Sequence, residues 1–170
     1  MIRFDTPRLE IRDAEPGDFR ALLALYTHKE VMRYISDGRS DWTLEELQAK
    51  YARINNQAPD GAGLFAVRLK ETGELAGEAG LFDTYATPGR LELGYILSRD
   101  LWQKGYGTEL CSGLIRYAFG LPGIVNLRAR MYAANEASWR LCETMNMLRI
   151  ACGNTPQGRA FYEYELKREE

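Results

Sequence analysis

Between Leu91 and Leu110 the period of the chain changes, and this change limits the fold more than any other feature. Leu91, Leu93, Tyr95 and Leu97 alternate with other residues, the period of a half-buried strand. Gly105 and Gly107 follow, and then Leu110, Leu114, Tyr117 and Ala118 share one face at helical spacing. A strand therefore enters a glycine-bearing loop that opens a helix. The first N–H groups of such a helix lack intrahelical partners and sit at the positive end of its dipole. Glycine lets the backbone close around an anion, so the segment suits a pyrophosphate. It lacks the G-x-x-x-x-G-K-[ST] of a P-loop, and Leu110 breaks the G-x-G-x-x-G of a dinucleotide fold. A bare G-x-G also serves as a tight strand-to-helix turn with no ligand.

The rest of the chain alternates in the same way. Leu9 to Arg12 reads as a strand, and Phe19, Leu22, Leu23 and Tyr26 as a helix face with Pro16 near its start. Val31 to Ile35 adds a further turn. Thr43 and Glu46 form a capping box ahead of a helix carrying Leu44, Leu47, Tyr51 and Ile54. Phe65 to Leu69 and Leu75 to Phe82 form a hairpin about Glu71-Thr72-Gly73-Glu74. Ile124 to Met131 is a strand and Asn135 to Met145 a helix. Arg149 to Cys152 and Phe161 to Leu166 close the chain as antiparallel strands. The order β-α-α-β-β-β-α-β-α-β-β predicts an α/β (α+β) fold, a mixed sheet of about seven strands with helices on its faces. A length of 170 residues fits one domain over 1–170.

Composition excludes several classes. With 24 acidic and 22 basic side chains the net charge is −2, so no basic excess exists to neutralise a nucleic acid. Cys111, Cys142 and Cys152 have no C-x-x-C spacing, and His28 is the single histidine, which argues against a metal site or a Cys–His pair. His28 reads as a surface or helix-end residue. No signal peptide or long apolar run is evident, so a reduced cytoplasmic protein with no membrane partner is expected.

Gly94-Tyr95 on a strand, followed by Trp102-Gln103-Lys104-Gly105-Tyr106-Gly107-Thr108-Glu109, resembles the coenzyme A signature of the GNAT N-acetyltransferases. Thr6-Pro7-Arg8-Leu9-Glu10-Ile11-Arg12, Glu71 to Gly77, Asn135-Glu136-Ala137-Ser138 and Glu143 to Met147 extend the likeness, in family order, towards the ribosomal-protein-alanine (RimJ/RimL-type) branch. Three positions depart from the wider pattern: Trp102 replaces Gln or Arg, Cys142 stands where a Tyr proton donor is common, and Asn146 replaces Gly.

The resemblance implies a GNAT fold, mostly antiparallel with helices on both faces, acetyl-CoA as co-substrate and no metal. It implies transfer of acetyl to a primary amine, either a peptide N-terminus or a small molecule. Backbone N–H groups from Lys104 to Thr108, with Gln103, Gly105, Tyr106 and Gly107 in the loop, would hold the pyrophosphate. Tyr95, Ile96 and Leu97 would dock the pantetheine amides as a strand edge. Asn135 would contact the coenzyme as well as cap its helix. Ser138 would serve the leaving thiolate.

The acceptor must be neutral to attack. At pH 7 deprotonation costs roughly 4–5 kcal/mol for a lysine-type amine but roughly 1 kcal/mol for an α-amine. Glu92 first, and Glu78 second, are candidate bases, the plainer reading of each taken singly being an exposed strand carboxylate. A coenzyme-binding sensor without turnover is the competing class, and the C-terminal strands could pair in a homodimer.

Overall fold

The computed structural model describes residues 1–169. Among these, eight strands form one sheet: β1 (Ile2–Asp5), β2 (Leu9–Asp13), β3 (Gly63–Leu69), β4 (Leu75–Phe82), β5 (Arg90–Leu97), β6 (Asn126–Tyr132), β7 (Leu148–Asn154) and β8 (Ala160–Lys167). Their order across the sheet is β1-β2-β3-β4-β5-β6-β8-β7. The β5–β6 pair is parallel and every other pair is antiparallel. The helices are α1 (Phe19–Tyr26), α2 (Lys29–Met32), α3 (Leu44–Gln57), α4 (Tyr106–Gly120) and α5 (Glu136–Thr144). None of the described helices is long and apolar enough to cross a membrane.

The sheet has one strand more than the expected seven. The addition, β1, has only Ile2 and Phe4 as apolar alternation, too short a run to read as a strand. Tertiary contact secures it instead, since Phe4 stacks on Tyr117 of α4 with ring centres 4.9 Å apart. The alternation of side chains about the sheet makes two cores. Phe65, Val67, Leu91, Leu93 and Leu97 lie beneath α4 and α5, meeting Leu110, Leu114 and Cys142. Leu64 and Ile96 point the other way, towards Leu22, Tyr26, Leu47 and Tyr51 of α1 and α3. Each such fully buried large side chain contributes about 1.5–3 kcal/mol. Cys111 and Cys142 are buried as small apolar groups and Cys152 is exposed, all as free thiols.

Local signals act where the sequence places them. The Thr43 hydroxyl accepts from the Glu46 amide at 3.2 Å, and the Glu46 carboxylate accepts from the Thr43 amide at 2.8 Å, closing the capping box of α3. His28 ends a helix, as expected: its Nδ1 accepts from the Val31 amide at 3.4 Å at the start of α2.

One irregularity of the sheet positions the site. The parallel β5–β6 register holds from Arg90↔Asn126 to Glu92↔Arg128 and then stops. Both strands continue, β5 to Leu97 and β6 to Tyr132, so they fork beyond Glu92. On its other side β5 stays paired with β4 through Leu97.

Candidate active site

The fork leaves backbone groups of β5 without a ladder partner. The Ser98 N–H donates to the Ala76 carbonyl at 2.9 Å, so Ser98 faces β4. By strand alternation Leu97 and Tyr95 face away from β4, into the fork. The Leu97 carbonyl confirms this direction, because it accepts from the Trp102 indole N–H at 3.0 Å. The Tyr95 N–H and carbonyl and the Leu97 N–H therefore point into the gap.

At the end of the fork α4 begins with an open N-terminus. Gly105 occupies its N-cap at φ +83°, with no side chain capping the turn. Gln103 is left-handed too, at φ +59°. The first helical bond runs from the Glu109 N–H to the Gly105 carbonyl at 3.1 Å. The amides of Tyr106, Gly107 and Thr108 come before it and are free to bind an anion. Gly107 lets α4 approach its neighbours closely, since a Cβ there would stand 3.3 Å from Leu141 of α5 and 3.9 Å from Leu97.

A clasp from the other end of the chain braces this turn. The Glu109 carboxylate accepts from the Thr6 hydroxyl at 2.6 Å, the Arg8 amide at 2.7 Å and Arg8 Nε at 2.6 Å. Arg8 also donates to the Lys104 carbonyl at 3.1 Å and lies 4.0 Å over the Tyr106 ring. Burial pushes the Glu109 carboxyl upward, but these donors outweigh it and hold the group below its usual range. Nothing in the spacing of Thr6, Arg8 and Glu109 reveals this contact, because it spans about a hundred residues.

The fork, the α4 N-terminus and the first turn of α5 enclose a cleft of about 570 Å³. Tyr95, Ile96, Leu97, Gln103, Gly105, Gly107, Thr108, Asn135 and Ser138 all line it. Lys104 and Tyr106 do not: Tyr106 turns to the outer side of the loop, under Arg8. Val31, Tyr34 and Ile35 form the facing wall, which the helical period of that segment could not assign. Trp102, read in sequence as a departure, lines the cleft and occupies the Leu97 carbonyl.

Asn135 corrects the capping expectation. It holds the N-cap position of α5, but at φ −83°, ψ 70°, and its side chain makes no capping hydrogen bond. Its amide side chain is thereby free towards the cleft. Ser138, one turn into α5, also faces the cleft. Cys142, a further turn on, is buried and absent from the lining, and burial pushes its thiol up to about 12.

The two candidate bases separate. Glu78 lies under α1 and α3, only 4% exposed. It accepts from the Tyr26 hydroxyl at 2.8 and 2.9 Å and from the Tyr51 hydroxyl at 2.6 Å, and Lys50 donates in turn to Tyr26. Both its oxygens are engaged, and it does not line the cleft. Glu92 is not part of the lining either, but it is the last paired residue before the fork. Burial pushes its carboxyl above the usual carboxylate range, against opposing pulls from Thr84 and Arg130.

Known proteins share this architecture. Residues 8–147 match the acetyltransferase (GNAT) domain model. The uncharacterised N-acetyltransferase p20 of Bacillus licheniformis is 29% identical over 143 residues, covering 83% of this chain and 79% of that one. Among solved structures, spermidine N-acetyltransferase from Vibrio cholerae, in complex with CoA and spermine, superposes with a TM-score of 0.81 at 17% identity, covering 94% of this chain and 95% of the other. RimL, the ribosomal L7/L12 α-N-protein acetyltransferase in complex with coenzyme A, gives 0.82 at 15% identity and 98% coverage of both chains. At such identities the two structures speak for the fold alone.

Proposed function

The chain belongs to the GNAT acetyltransferase family, and on that premise we propose that it moves the acetyl group of acetyl-CoA to a primary amine by direct attack in a ternary complex. One observation carries this reading: the free strand edge of β5 and the free amides of α4 open into the same cleft. A ligand with a diphosphate at one end and amides along its arm would engage both sets of groups.

The amides of Tyr106, Gly107 and Thr108 take the pyrophosphate, with the Thr108 hydroxyl as a further donor. Tyr95 and Leu97 pair with the pantetheine amides as a neighbouring strand would. A backbone N–H of this edge polarises the thioester carbonyl, where negative charge develops. Glu92 takes the proton of the attacking ammonium, directly or through water. The amine nitrogen then bonds to the carbonyl carbon, and the C–S bond breaks as the tetrahedral intermediate collapses. Ser138 hydrogen-bonds the departing thiolate or relays to it the second proton that the nitrogen sheds as the amide forms. Its place in the lining supports it over the buried Cys142. Glu78 is the weaker candidate base because both its oxygens are already bonded.

The opening strand, hairpin and Asn-x-x-Ser motifs favour the ribosomal-protein-alanine branch, and thus an α-amine acceptor. The lower cost of deprotonating an α-amine agrees, since a single partly buried carboxylate then suffices. Release of free thiol from acetyl-CoA, measured against a panel of amines, tests the reading. Amine-dependent release is expected. Coenzyme binding with no release for any amine would leave a sensor in place of an enzyme.

A further inference from the structure

On and beside the sheet face that carries Glu92, several arginines near the fork lack a carboxylate partner. Arg128 is paired in register with Glu92 and shares its face, and Arg130 and Tyr132 follow at the strand period. Across the β6–β8 ladder they stand opposite Glu165, Glu163 and Phe161. Arg128 takes both of these carboxylates, at 2.8 Å and 2.9 Å. Arg130, Arg159 and Arg33 have no ion pair among the described residues, and Arg90, two residues before Glu92, donates to the Asn126 side chain instead. Arg130 lies exposed, 3.8 Å over the Phe161 ring. Arg159 lies 3.5 Å over the Tyr132 ring and donates to the Arg33 carbonyl at 3.4 Å. Arg33 itself sits 5.4 Å from the ring of Tyr34, a residue of the cleft wall.

The patch adjoins the fork. Tyr132 ends β6, and Ala134 and Asn135 just beyond it line the cleft. The Tyr132 hydroxyl also donates to the Ser36 carbonyl, joining the loop after α2 to this edge. The carboxylates beside the patch are Glu165, paired with Arg128; Glu163, shared by Arg128 and the Tyr85 hydroxyl; Glu92, the proposed base; and Glu30, which lines the cleft and pairs with Arg99. Stacking on an aromatic ring holds a guanidinium flat and leaves its N–H edge free, the geometry that grips a carboxylate with two hydrogen bonds. Three such groups also repel a polycation approaching the same opening.

We propose that Arg130 and Arg159, with Arg33 behind them, anchor the acceptor, and that this acceptor is a primary amine carrying a carboxylate. The proposal rests on the acetyltransfer reading and names its substrate class. The carboxylate could belong to a free amino acid or to acidic side chains behind a peptide N-terminus.

Thiol release is measured with an acidic peptide, its Gln-for-Glu counterpart, free glutamate and spermidine. The acidic peptide or glutamate is expected to exceed the neutral peptide at least tenfold in kcat/KM, and which of the two leads identifies the source. That ratio is expected to collapse towards one in Arg130→Gln and Arg159→Gln, to survive in part in Arg130→Lys, and to persist in Arg116→Gln, a change on the exposed face of α4. Calorimetric titration of the acidic peptide into the coenzyme-loaded protein reads the anchor without turnover. It separates a failed anchor from a failed enzyme. Preference for spermidine or the neutral peptide, or an acidic preference that both Gln variants keep, would overturn the proposal.

Discussion

Gly105→Ala isolates the part played by the α4 N-terminus. Gly105 sits at φ +83°, where an L-residue loses about 1–2 kcal/mol. A Cβ there would meet only Arg8 Nη2, at 3.3 Å, so the clasped guanidinium need shift by no more than a fraction of an ångström. Backbone strain is therefore the main cost. In a chain of this size about 1–2 kcal/mol lowers Tm by roughly 2–8 °C. Gly73 is the matched control, at φ +73° with nothing within 4 Å of a Cβ and a place in the β3–β4 turn. Gly73→Ala is expected to lower Tm by a similar amount and to leave coenzyme binding alone. Gly105→Ala must relieve its strain by turning the amides that follow. Losing one hydrogen bond to a charged phosphate costs about 1.5–3 kcal/mol, so Kd for coenzyme A is expected to rise roughly ten- to one-hundred-fold. Calorimetric titration of both variants with coenzyme A, beside thermal melts, reads each effect. Equal coenzyme affinity in the two variants, at matched loss of Tm, would refute the reasoning.

Other variants probe the remaining roles. Glu92 has a raised pKa from burial, so its basic form accumulates only as pH climbs through that raised value; kcat/KM is expected to rise over this interval in the wild type and to lose that limb in Glu92→Gln. Asn135→Ala, which removes no cap, should change stability by less than about 0.5 kcal/mol while raising KM for acetyl-CoA. Thr43→Ala removes a capping box and should cost about 0.5–2 kcal/mol in thermal or urea unfolding with KM unchanged. Glu109→Gln loosens the clasp on the phosphate loop, so KM for acetyl-CoA should rise more than kcat falls. Because donors hold the Glu109 pKa below its ordinary value, its stabilising effect exists above the unfolded pKa and is lost as pH falls through the folded one. A wild-type-minus-Gln difference in Tm that shrinks on acidification checks that sign.

How much of this was legible depended on whether the signal was local. The change of period at Gly105 and Gly107, the Thr43 capping box and the buried helical cysteines depend on neighbours within a few residues, and the structure reproduces them. The alternation of β4 correctly puts Glu78 on a face of the sheet, yet cannot say that Tyr26 and Tyr51 will cover it. The fork is a failure of pairing between strands about thirty-five residues apart, and no residue of β5 or β6 announces it. Asn135 is a residue type that caps helices, but its backbone turns the side chain away from that task. The Arg8–Glu109 clasp and the arginine-rich face beside the fork arise only when distant segments meet.

Backbone amide shifts during a coenzyme A titration, read by NMR, test the central claim most directly. Large changes are expected at Tyr106, Gly107 and Thr108 and at Tyr95 and Leu97 of the β5 edge, with Gly73 unmoved. Changes centred on another surface, or none at saturating coenzyme, would contradict it.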